Sequence, residues 1–93
     1  MRAFVFLIAG IASWFRQLPM YGSMHVCAMN HVRPGTHILV VNAANGDQAY
    51  CTVIGTGPFV NGRILDVSPS MRDALHMGGL ARVRVYIERS ARR

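Results

Sequence analysis

Cys51-Thr52-Val53-Ile54-Gly55-Thr56-Gly57-Pro58-Phe59-Val60-Asn61-Gly62-Arg63-Ile64-Leu65-Asp66-Val67-Ser68 carries most of the information about the fold. The β-rich run Ala49–Ile54 stops at Gly55-Thr56-Gly57-Pro58, where two glycines and a proline break any ladder. Arg63–Val67 is strand-like again. Ser68-Pro69 then puts a good N-cap residue before a proline at the first helical position. Met71, Ala74 and Leu75 are spaced for one buried helix face, and Gly78-Gly79 is expected to end the helix after Met77.

Working outward, Ile38-Leu39-Val40-Val41 makes His37–Asn42 a strand of the kind buried on both faces. Asn45-Gly46 between two apolar runs is a hairpin signal, because both residues tolerate positive φ. Downstream, Val83, Val85 and Ile87 alternate with Arg82, Arg84, Tyr86 and Glu88, the pattern of a strand with one wet face. Pro19–Gly35 reads as loop, punctuated by Pro19, Gly22, Ser23, Asn30, Pro34 and Gly35. Arg89–Arg93 reads as a frayed basic tail. The sum is all-β with one short helix, and closure into a barrel would remove exposed edges.

Ninety-three residues allow one small domain. At 52% hydrophobic and 15% charged residues, the chain is not of the disordered class. The apolar run Ala3–Ala12 is about half a bilayer span, so no stable membrane span is expected. It has two readings. Met1-Arg2, the apolar run and the small pair Gly10-x-Ala12 match a secretory leader. Phe4, Val5, Phe6 and Ile8 equally suit a first strand. Ten arginines, no lysine and four acids give a net charge of +6. Such a surface suits nucleic acid, anionic lipid or an anionic cell-wall polymer. A basic nucleic-acid-binding barrel is an alternative reading that the charge suggests, but no basic-aromatic interleaving or RNA-binding motif supports it, so no specific nucleic-acid partner is expected. Cys27 and Cys51 could form a disulfide or remain thiols; with His25 and His31 they could also supply four zinc donors, although the spacing is not that of a standard finger.

The Cys51–Ser68 run resembles the core motif of the rare lipoprotein A-like family, whose usual pattern is Asp-Arg-Gly-Pro-Phe, then Gly-Arg-Ile-Ile-Asp-Leu-Ser and a helix. Further pieces occur in the family's order: Gly10-Ile11-Ala12-Ser13-Trp14-Phe15, Ala28-Met29-Asn30-His31, Pro34-Gly35-Thr36, Asn45-Gly46 and Ala81-Arg82-Val83-Arg84-Val85. The resemblance implies a six-stranded double-psi β-barrel over residues 10–88. Residues 1–9 would be an apolar leader or first-strand extension, and 89–93 a basic tail. It further implies an exported, monomeric protein acting on peptidoglycan glycan strands as a lytic transglycosylase, with no cofactor and no metal. Two departures stand out. The segment between Trp14 and Cys27 is shorter than usual. The family's catalytic Asp before Arg-Gly-Pro-Phe falls on Gly55 and its Arg on Thr56, so the chain is either a degenerate enzyme or a non-catalytic carbohydrate-binding barrel.

The resemblance puts Asp66 and His31 forward as the catalytic pair. Cleaving a glycosidic bond needs a proton donor near the bridging oxygen, and a carboxyl group can supply it. A transglycosylase uses a hydroxyl of the sugar itself as nucleophile, so a second carboxylate is not obligatory, unlike the hydrolase pair. Asp66 could instead cap the following helix. His31 could orient a sugar hydroxyl or relay a proton, or simply bond loop backbone. Arg63, Arg33, Thr56 and Tyr21 are the candidate substrate contacts, since guanidinium groups fork the carboxylates of muropeptides. Phe59 is expected to pack beneath its loop. The resemblance places Cys27 and Cys51 each beside a barrel strand, where an exported protein would oxidise them to a disulfide.

Overall fold

The computed structural model describes residues 2–16 and 19–90. Six strands, one short helix and one 3-10 turn follow in the order β1 (Arg2–Trp14), the turn Pro19–Tyr21, β2 (Val26–Ala28), β3 (His37–Asn42), β4 (Gln48–Gly55), β5 (Arg63–Val67), α1 (Pro69–Ala74) and β6 (Ala81–Ser90). The strands close into a ring, β1-β5-β2-β4-β3-β6. Two neighbour contacts are parallel, β1 with β5 and β2 with β4. The other four are antiparallel. Exchanging β1, β2 and β3 for β4, β5 and β6 maps this ring and its strand directions onto themselves. That internal two-fold relation agrees with the expected double-psi barrel. It leaves two contacts on the pseudo-axis, β2–β5 and β3–β6, on opposite sides of the ring.

The barrel fills itself with the inward half of each alternating pattern. Ile38, Val40, Val53, Leu65, Val67, Val83 and Val85 are fully buried. Each such side chain contributes about 1.5–3 kcal/mol relative to an exposed one. Val41 and Asn42 at the end of β3 are also buried, so this strand is covered on both faces there. Cys27 and Cys51 both point into this core and are joined as a disulfide, with Cα atoms 6.2 Å apart across the β2–β4 contact. The bond removes the zinc reading, because both sulfurs are consumed by each other.

Three local expectations need correction. The helix ends at Ala74 rather than Met77. His76 adopts φ 50°, its N–H donates to Asp73 O, and the Met77 N–H reaches back to Arg72 O. This is a Schellman closure with histidine in the left-handed position usually held by glycine. The freed Leu75 carbonyl accepts the side-chain amides of Asn42 (2.9 Å) and Asn45 (3.1 Å). Ser68 does stand at the N-cap, but its hydroxyl does not cap the helix. It ties the helix start to the chain around β2 instead, accepting from Val26 N–H and donating to Met24 O, both at 3.3 Å. Finally, Arg89 belongs to β6, in register with Ala3 of β1. Residues 91–93, the rest of the expected tail, lie outside the described residues.

The Arg2–Trp14 stretch forms one strand. Its pairing with β5 begins only at Ile11, whereas its pairing with β6 runs from Arg2 to Ala12. Residues 2–4 with Glu88–Ser90 therefore make a two-stranded ribbon beyond the barrel, while residues 5–10 pair with the part of β6 that β3 holds on its other side; Val5, Phe6 and Leu7 are exposed.

Candidate functional site

The register places Ser13 beside Asp66, Asp66 beside Ala28, and Ala28 beside Gly55. These four residues form one row across β1, β5, β2 and β4. Their chain neighbours Ala12, Leu65, Cys27 and Val67 are fully buried, so alternation turns the row outward. Asp66 is the row's carboxylate. The Ser13 hydroxyl donates to its Oδ1, and among the described residues no backbone amide bonds it. It does not cap α1, whose first carbonyl acceptor is Ser68 O, bonded to Arg72 N–H. Ala28 and Gly55 contribute almost no side chain, so the floor beside the acid is low. A Cβ built on Gly55 meets nothing within 4 Å, and the residue lacks a positive φ. The missing carboxylate therefore reflects residue choice and not lack of room. A carboxylate there would start about 10 Å from Asp66, two strand spacings away.

Three sequence-predicted residues lie on the flank of the row where β2 and β4 finish and β5 begins. Thr56 is exposed and follows Gly55 directly; Arg63 is half-buried and opens β5 in register with Ile11; His31 lies just past β2. Asn30 holds this flank together. Its amide donates to Pro58 O at 2.7 Å and its carbonyl accepts the Gly57 N–H at 2.9 Å. The loop after β4 is thereby pinned to the loop after β2. Phe59 departs from expectation. Pro58 takes the buried place at the loop base, and Phe59 projects into solvent at 83% exposure. It is an exposed aromatic face in the loop after β4, against Gly57.

The structure does not make Asp66 and His31 a pair around one cavity. His31 is an exposed turn residue at φ 66°, a conformation histidine adopts more readily than most residues. With Asn30, Met29, Val32, Leu7 and Ile8 it lines a small hollow of about 140 Å³ that does not include Asp66. Arg33 is exposed further along the same connection, where its carbonyl accepts the Thr36 N–H. Tyr21 lies in the 3-10 turn between β1 and β2, where its carbonyl accepts the Met24 N–H, and Met24 O in turn accepts the Ser70 hydroxyl at the start of α1. There Trp14 carries the Arg72 guanidinium 4.2 Å from its ring centroid.

A larger cavity than this hollow lies elsewhere, and no sequence motif marks it as a unit. It measures about 480 Å³ and is lined by Phe4, His25, His37, Tyr50, Thr52 and Glu88, with Cys51 at its base. The signal that could have found it was the alternation of β6, which puts Glu88 on the outer face. That face lies against His37 once β3 and β6 are paired. Among the described residues no group of three or more His, Cys, Asp or Glu side chains is arranged to hold a metal ion. Among them, too, no helix is long and apolar enough to cross a membrane. Comparison of the chain with protein-family models and with curated proteins gives no match.

Proposed function

We propose that the chain is a cell-wall protein of the rare lipoprotein A-like type that seats a peptidoglycan glycan strand along the Ser13–Asp66–Ala28–Gly55 row. It does so as an exported monomer, and binding is its activity. The observation carrying this reading is a lone carboxylate at the centre of a floor made of alanine and glycine. A sugar hydroxyl donating to Asp66 makes a charge-assisted hydrogen bond, about twice as strong as a neutral one. The low floor lets a ring approach the acid, and exposed Phe59 offers a stacking face in the loop after β4. The net charge of +6 favours an anionic wall polymer. The buried disulfide fits an oxidising compartment.

A second reading, cleavage by lytic transglycosylation with Asp66 as proton donor, is favoured by the freedom of that carboxyl from backbone amides. Gly55 weighs against it. Incubating the protein with glycan strands stripped of peptide separates the two. Binding predicts retention on the strands, weakened about tenfold in Asp66→Asn, and no anhydro-ended products. Anhydro-ended products that vanish in Asp66→Asn would replace binding by cleavage. Absence of both retention and products would remove both readings.

A further inference from the structure

The 480 Å³ cavity lies over the β3–β6 contact, on the side of the ring opposite β2–β5. Ile38 pairs with Ile87, so His37 and Glu88 are register neighbours. Their side chains meet, His37 Nδ1 to Glu88 Oε1, at 3.0 Å. The Glu88 side chain is only 12% exposed, while that of His37 is 52% exposed. A carboxylate acceptor thus stands next to an imidazole whose second nitrogen remains accessible. Thr52, in register with His37, adds a hydroxyl from the next strand. Tyr50 and Phe4 supply the apolar wall. Although β3 and β6 separate their strands in the ring, their rings touch, with centroids 5.3 Å apart. The ribbon end of β1 therefore bridges across to β4, and more than half of Tyr50 remains exposed.

The chemistry of this wall selects a ligand class. A cation is opposed by the chain's net charge of +6, with Arg82, Arg84 and Arg89 on the same strand as Glu88. An anion is opposed by Glu88 itself. A purely apolar ligand would strip water from the His–Glu pair without replacing its hydrogen bonds. A neutral, hydroxyl-rich ring meets every surface, with its apolar face on Tyr50 and its hydroxyls on Glu88, His37 and Thr52. We propose that this cavity is a saccharide site for one or two neutral sugar rings, separate from the Asp66 row and independent of what that row binds.

The test is a chemical-shift titration of the backbone amides with the disaccharide of N-acetylglucosamine, on the wild type and on Tyr50→Ala, Glu88→Gln and Asp66→Asn. The site predicts saturable shifts at His37, Tyr50, Thr52 and Glu88. Affinity read at those four amides should fall about tenfold in Tyr50→Ala and in Glu88→Gln, whereas Asp66→Asn should alter only the shifts along the Ser13–Asp66–Ala28–Gly55 row. Thr52→Val, which keeps side-chain volume, should also weaken binding, and it serves if either of the first two variants fails to fold. Shifts confined to Ser13, Ala28 and Gly55 and lost in Asp66→Asn would overturn the cavity site while leaving the row intact. Saturation by tetramethylammonium but not by the disaccharide would make it a cation site and equally refute the proposal. So would no shift with either probe.

Discussion

Replacing both cysteines, Cys27→Ala with Cys51→Ala, should remove a large share of the stability. The bond closes a loop with a sequence separation of 24 residues. In the chain-entropy treatment such a loop restricts the unfolded chain by about 3.5 kcal/mol. The whole stability of a domain this size is about 5–15 kcal/mol. An unfolding entropy of about 2.1 cal/mol/K per residue gives roughly 0.2 kcal/mol/K for 93 residues. The midpoint should therefore drop by about 18 °C. Both sulfurs are also core atoms, so the alanines leave a void and push the effect further in the same direction. Calorimetric melts of wild type, wild type with reductant, and the double variant measure it. Reductant should reproduce most of the drop in the wild type and do nothing to the variant. Equal midpoints in all three would refute the reasoning, and would mean that the thiols are not bonded or that the unfolded chain is already compact.

Other expectations follow from single contacts. Gly10→Ala puts a Cβ 2.8 Å from Ile64 Cγ2, so it should destabilise by about 1–3 kcal/mol, and adding Ile64→Ala should recover part of the loss in a double-mutant melt. Asn30→Ala removes both bonds that pin the Gly57-Pro58 loop; urea unfolding should show about 1–3 kcal/mol lost, and glycan retention should fall with it. Asn42→Ala leaves the buried end of β3 without its bonds to Leu75 O and Ala44 N–H and should cost about 2 kcal/mol by the same assay. Gly55→Asp should fold normally, since its side chain enters open space. If the row is a decayed cleavage site, this variant should release more anhydro-ended product than wild type; no gain in a folded variant counts against decay at that position.

The elements with a clear period were legible in the sequence. The alternation of β6, the continuous apolar run of β3 and the Asn45-Gly46 turn each name their strand without help from the rest of the chain. β2 is different. Val26-Cys27-Ala28 is too short to show a period, and it lies among loop-forming residues. Only its two neighbours, β4 and β5, make it a strand. The helix end was misplaced for a similar reason. Two glycines looked like the stop, but the chain closes the helix earlier on His76 and uses Asn42 and Asn45 from a distant hairpin to satisfy Leu75 O.

The site divides in the same way. Asp66 and Gly55 could be singled out from the sequence, because both lie in the Cys51–Ser68 run. Their sharing of a row with Ser13 and Ala28 depends on the parallel pairing of β1 with β5 and β2 with β4, which no local pattern encodes. His31 shows the limit of position in a motif, since its turn conformation and its neighbours Leu7 and Ile8 set it apart from Asp66. Phe59 was expected inside because aromatics in small domains are mostly core, yet Pro58 fills that place first. His37 and Glu88 are separated by 51 residues, and only the closing β3–β6 contact makes them neighbours.

The most direct test of the glycan-row account is a chemical-shift titration of the wild-type protein with soluble, peptide-free glycan strands. The account predicts saturable shifts at Ser13, Ala28, Gly55 and Asp66, with Phe59 moving alongside them, and their loss in Asp66→Asn. Saturable binding that leaves those five amides unmoved, or that survives Asp66→Asn undiminished, would contradict it.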